Sequence, residues 1–169
     1  MWDIGYRLPE VQKYATFKPD DEVIDIGCAE GLITMEVAPK VKHIRGVELR
    51  PQRVEAARQI AEERGIKNIS FKVGSVTTLE LEAYSYDVVL FLGVFQHLPR
   101  EEKWLSMVKV LSAARRSVVM RMPLFHPKNP YRTTKLAEVC KQMSFVLTIY
   151  PRLEPRGGSF MIASRLNAD

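Results

Sequence analysis

Only two cysteines, Cys28 and Cys140, occur in the 169 residues, and nothing in their spacing suits a metal. That excludes a disulfide framework and predicts a reduced, cytoplasmic protein with no bound metal. Long hydrophobic runs are missing too. No apolar stretch approaches the roughly 18 residues of a membrane span, and the opening "MWDIGYRLPE" lacks a signal-peptide core. There is no internal repeat, linker or low-complexity segment. The length therefore reads as one domain spanning 1–169, large enough to bury a core without staples. A composition of 46% hydrophobic and 27% charged residues is that of an ordinary soluble globular protein.

Charge is present but lopsided. The net charge is +5. Met1 to Pro99 carries 12 Lys/Arg against 15 Asp/Glu, whereas Arg100 to Asp169 carries 13 against 5. Such an excess is ordinarily solvated surface; the alternative is a second half that faces an anionic partner.

Strands and helices alternate along the chain. "EVIDIG" (22–27) is a nearly continuous apolar run, as expected of a strand buried on both faces. A short helix from Gly31 stops at Pro39, and "HIRGVEL" (43–49) forms the second strand. The next helix opens at Pro51, carries Val54, Ala57 and Ala61 on one side, and ends before Gly65. "NISFKV" (68–73) and "YDVVLFLG" (86–93) follow as strands, the latter apolar enough to be central. Helical spacing over 100–115 predicts burial of Trp104, Leu105, Val108 and Leu111. "SVVMRMP" (117–123) is the fifth strand, and a helix over 131–143 repeats Leu136, Val139, Cys140 and Met143. "FVLTIYP" (145–151) and "SFMIASRL" (159–166) leave no room for a crossover helix, so they pair antiparallel. The expected fold is α/β: a doubly wound, mostly parallel seven-stranded sheet with helices on both faces and an antiparallel C-terminal hairpin.

In such sheets a ligand lies beyond the carboxyl ends of the strands, near the switch point. That gathers Gly27–Gly31, Glu48, Gly74–Val76 and Leu92–His97 around one crevice. Gly27 and Gly31 allow tight turning and close approach, though a bare pair of glycines says little. Glu48 either accepts from a ribose diol or is a plain strand-end acid. A dinucleotide fits less well: its G-x-G-x-x-G fingerprint meets Ala29 and Leu32, and a pyrophosphate disfavours Asp25 and Glu30 nearby. S-adenosylmethionine has no phosphate, and its ammonium and sulfonium suit acidic neighbours.

With these residues the chain resembles the class I S-adenosylmethionine-dependent methyltransferases over nearly all its length. Their acid-x-Gly-x-x-x-Gly motif reads as Asp25-Ile26-Gly27-Cys28-Ala29-Glu30-Gly31. Glu48 in "GVEL" matches the acid closing strand two, "VGSVTTLELEAYSYDVVL" the approach to strand four, and "FLGVFQHLP" the segment after it. The resemblance implies Asp25 and Gly27 around the methionine moiety, Glu48 on the ribose, and Ser75 and Val76 on the adenine. It also implies Leu92 and Gly93 near the sulfonium, with Cys28, Ala29, Gly31 and Leu49 completing the cofactor-binding set. Two departures matter. Ala29 replaces a common Gly, and Ser75 replaces a common Asp, so adenine recognition rests on a neutral hydrogen bond.

A sulfonium donor asks the protein mainly for positioning and exclusion of water. His97 is the candidate base, or else it orients the loop or caps the following helix. Gln96, His126, Arg152 and Arg156 are the candidate substrate contacts, and Arg121, Lys128 and Arg132 add to the same basic rim. Residues 1–20, with Trp2 and Tyr6, are expected to fold over the cofactor, while Tyr14 and Phe17 pack. "GVFQH" and "GGSFMIASR" are similar to the methyltransferase part of enzymes that cap bacterial O-antigen glycans. The expected acceptor is therefore an anionic small molecule or a glycan. RNA is the rival, although no RNA-binding module or aromatic interleaving is present. A nicotinamide-dependent oxidoreductase and a non-catalytic partner subunit are the readings from other classes.

Overall fold

In the computed structural model, residues 4–122, 131–150 and 159–166 are described. The strands are β1 (Glu22–Ile26), β2 (His43–Glu48), β3 (Ile69–Val73), β4 (Tyr86–Leu92), β5 (Ala114–Met122), β6 (Phe145–Tyr150) and β7 (Ser159–Arg165). The helices are α1 (Ile4–Tyr14), α2 (Leu32–Val37), α3 (Pro51–Glu63), α4 (Lys103–Ala113) and α5 (Tyr131–Gln142). The sheet order is β3-β2-β1-β4-β5-β7-β6. β4 is central, as its composition predicts. The first five strands run parallel, and β7 is antiparallel to both β5 and β6. No helix of the described residues is long and apolar enough to cross a membrane.

Alternation along β4 shows why its sequence is apolar throughout. Val89 and Phe91 join a cluster with Met107, Val110 and Leu111 of α4 and Leu136 and Cys140 of α5. Val88, Leu90 and Leu92 enter a second cluster with Val11 of α1 and Ile33 and Val37 of α2. A strand covered on both faces has no solvent side on which to place polar residues.

Two features depart from the sequence reading. α1 has no counterpart there: Pro9 stands inside it and its first turn holds no acid, which leaves Lys13 in its last turn as a weak helix signal. Tertiary contacts hold it instead. Val11 is buried, Glu10 pairs with Arg121 at 3.0 Å, and Tyr14 stacks on Tyr150 at 4.3 Å between ring centroids. Tyr14 and Phe17 do pack against the core.

The second departure is α4, which ends at Ala113 and passes straight into β5 instead of continuing to 115. Its buried face is Ser106, Met107, Val110, Leu111 and Ala113. Leu105 and Val108 are exposed, contrary to expectation, and Trp104 is only partly buried, edge-on to Phe95. The helix carries two apolar stripes at helical spacing, and the sheet takes one of them.

Candidate functional site

The switch point lies between β1 and β4, which neighbour each other while their chains depart in opposite directions. Beyond β1 the backbone turns through Gly27 (φ 78°), Ala29 (φ 52°) and Gly31 (φ 73°), all left-handed. Glycine adopts this conformation without penalty, whereas Ala29 costs about 1–2 kcal/mol. Gly27 N–H and Cys28 N–H both donate to Val47 O, at 2.7 and 3.1 Å, so the turn folds back on the end of β2. Across the switch, Gly93 (φ 75°) follows β4 and its N–H donates to Arg121 O at 2.8 Å.

Glu48 ties this turn to α3. Its Oε2 accepts from Ala29 N–H at 3.1 Å and its Oε1 from Arg50 N–H at 3.0 Å. The carboxylate is buried yet lines the crevice. Each oxygen has one bond to the protein and a further lone pair for a ligand hydroxyl.

The crevice has a volume of about 310 Å³, at the lower end of small-molecule sites. Of the residues singled out in the sequence, Gly27, Ala29, Glu48, Leu49, Ser75, Val76, Leu92, Gly93 and His97 line it. Leu49 offers an exposed apolar side chain and Val76 a buried one. The Ser75 hydroxyl lies 3.0 Å from Thr77 Oγ1 and accepts from Thr77 N–H at 3.3 Å, so part of its capacity is already used. His97 is exposed on a single 3₁₀ turn, Phe95–His97.

Three residues of the glycine motif stand behind the lining. Asp25 is buried and its Oδ2 accepts from Thr34 Oγ1 at 2.7 Å, fastening the start of α2. The Cys28 side chain packs with Met35, Ala57 and Phe71. Burial pushes its thiol far above the ordinary range, and the Asp25 and Glu48 carboxylates add to that. At Gly31 a Cβ would meet the Phe71 ring at 2.6 and 2.7 Å, so glycine here serves packing. Gln96 does not line the crevice; its backbone carbonyl accepts from Lys103 Nζ at 3.2 Å. Arg121 is held by Glu10 and largely buried, which removes it from the expected basic rim. Trp2, the side chain of Tyr6, His126, Lys128, the side chain of Arg132, Arg152 and Arg156 lie outside the described residues.

Sequence reasoning missed Arg50 and Arg53, which line the crevice, and placed Val94 there only as part of the segment Leu92–His97. The arginines follow Glu48 by two and five residues, Arg50 just before α3 and Arg53 in its first turn. Val94 is set against the turn: a Cβ on Gly27 would overlap its Cγ2 methyl.

A family model described as a methyltransferase domain matches residues 17–163. Aklanonic acid methyltransferase from a Streptomyces strain is 34% identical over 90 residues, covering 52% of this chain and 40% of that protein. An uncharacterized RNA methyltransferase of Oceanobacillus iheyensis is 40% identical over 62 residues, covering 37% of this chain and 14% of that protein. The chain thus spans well under half the length of these curated relatives. Among solved structures, magnesium protoporphyrin IX methyltransferase from Synechocystis, with S-adenosylmethionine bound, superposes with a TM-score of 0.75 at 20% identity. That likeness covers 88% of this chain and 71% of the other.

Proposed function

The chain belongs to the class I S-adenosylmethionine-dependent methyltransferase family, and from that premise we propose that its crevice binds S-adenosylmethionine and passes the methyl group to an anionic small-molecule or glycan-type acceptor. The observation that carries the cofactor assignment is Glu48, a buried carboxylate with spare lone pairs on both oxygens at the switch-point crevice. Its free acceptor positions suit the two hydroxyls of a ribose diol, and among the described residues no ion pair engages it. Bound in the crevice, the cofactor supplies a methyl already activated on a sulfonium.

The chain's own residues then have limited tasks. Glu48 accepts the ribose hydroxyls while keeping its two backbone bonds. Leu49 and Val76 give the adenine apolar contact, and Ser75 adds one neutral hydrogen bond. The left-handed turn at Gly27 and Ala29 and the backbone at Gly93 bound the methionine end, with Asp25 bracing the turn from behind through Thr34. His97, beyond β4, receives the proton that an O–H or N–H acceptor loses. Both thiols of the chain are buried and free, which suits a reduced cytoplasmic setting.

The anionic acceptor is supported by the basic second half and by the relative named for aklanonic acid, itself an acid. RNA is the second reading, favoured by the relative named as an RNA methyltransferase. A methyl-transfer screen over small carboxylic acids, phosphorylated sugars and RNA, run at low and high salt, tests the acceptor class. Transfer to the true acceptor is expected to fall steeply as salt shortens the screening length from ~10 Å at 0.1 M to ~3 Å at 1 M. Affinity for S-adenosylhomocysteine should change by no more than about fivefold over that range, since it rests on contacts inside the crevice. A neutral acceptor methylated equally well at both salts would overturn the anionic assignment.

A further inference from the structure

We propose that Glu30 and Arg53 form a clasp across the ribose end of the crevice, and that Arg53 is a positioning residue that slows cofactor release. The inference rests on the reading of the crevice as an S-adenosylmethionine site. Arg53 Nε lies 3.2 Å from Glu30 Oε1, with the two side chains 26% and 44% exposed. Arg53 comes from the first turn of α3 and lines the crevice. Glu30 belongs to the glycine turn and is adjacent to Ala29, which also lines the crevice. The pair therefore joins two segments of the lining, the turn and the start of α3.

Glu48 joins the same two segments at a deeper level, through Ala29 N–H and Arg50 N–H. The turn needs both ties. Three of its five residues are left-handed, one of them alanine, and Gly31 N–H to Cys28 O (2.9 Å) is its internal bond. A turn in this conformation relaxes outward unless its neighbours hold it. Arg50 stands beside Arg53 and also lines the crevice, yet makes no ion pair among the described residues. One arginine of the two is committed to the turn, which distinguishes a clasp from a general positive rim.

The test measures release of bound S-adenosylhomocysteine by rapid-mixing displacement. It compares the unaltered chain with Arg53→Gln, Glu30→Gln and the exchanged pair Glu30→Arg/Arg53→Glu, each checked for an unchanged unfolding midpoint. A half-exposed ion pair contributes modestly, so each single variant is expected to release the ligand about threefold to fivefold faster. Rising salt should speed release from the unaltered chain toward that of the single variants, whose own rates stay flat. The exchanged pair should return to within about twofold of the original rate. Single variants that release at the original rate, or an exchange that fails to restore slow release, would overturn the clasp. Failure of the unaltered chain to bind S-adenosylhomocysteine at all would instead remove the cofactor reading on which the clasp depends.

Discussion

Replacing Gly27 with valine is expected to abolish binding of S-adenosylhomocysteine while the chain stays folded. Two effects combine. At φ 78° a β-branched residue is strongly disfavoured, and its Cβ would overlap the Cγ2 methyl of Val94. Val94 is a side chain on the crevice lining, so the overlap is relieved by moving into the space a ligand needs. The sequence alone suggests that a side chain at 27 fills the ligand's place directly; the structure supplies Val94 as the intermediary. Strain and displacement together should cost a few kcal/mol, which in the crevice means a loss of more than about a hundredfold in affinity. Calorimetry and circular dichroism on the same sample check it. Native dichroism with undiminished binding would mean the ligand lies elsewhere.

Glu48→Ala carries the next largest effect. It removes the carboxylate proposed to hold the ribose and also leaves Ala29 N–H and Arg50 N–H without their acceptor. Lost ligand bonds alone are worth about 1–3 kcal/mol, or roughly tenfold to a hundredfold in the dissociation constant. Loosening of the turn adds to that. Glu48→Gln separates the contributions, because one amide oxygen can still accept from the backbone while the second acceptor becomes a donor. The order of affinity is expected to be Glu48, then Gln, then Ala. Equal affinity in all three would remove the ribose assignment.

How far the sequence could be read depended on whether the signal was local. The strand periods, Pro51 at the head of a helix, the glycine turn and the acid closing β2 are all written in adjacent residues, and all reappear in the structure. So does the antiparallel hairpin, because eight residues between Tyr150 and Ser159 cannot hold a crossover helix. What was not legible depends on partners distant in sequence. α1 is held by Arg121, more than a hundred residues away. At the end of α4, "SAARRS" has good helix formers, but pairing of Ala114 with Tyr86, and of Ser117 with both Val88 and Ser164, draws it into the sheet. Within α4, Leu105 and Met107 are equally apolar, and the cluster around β4 and β5 decides which is covered.

The same division runs through the site. Gly27, Glu48 and Gly93 could be placed because strand ends are visible in sequence. Cys28 and Gly31 could not be sorted from them, since the packing of the Cys28 side chain and the lack of room for a Cβ at Gly31 both depend on Phe71 and Ala57. Arg50 and Arg53 carried a usable signal, their position just after the strand-end acid. Val94 fell inside the strand-end segment Leu92–His97, but its contact with Gly27 is legible only in the folded turn.

Calorimetric titration of the unaltered chain with S-adenosylhomocysteine, alongside a nicotinamide dinucleotide, tests the central claim most directly. A single-site isotherm in the micromolar range, roughly 7–8 kcal/mol, with no heat from the dinucleotide is the predicted result. Binding of the dinucleotide with no heat from S-adenosylhomocysteine would contradict it.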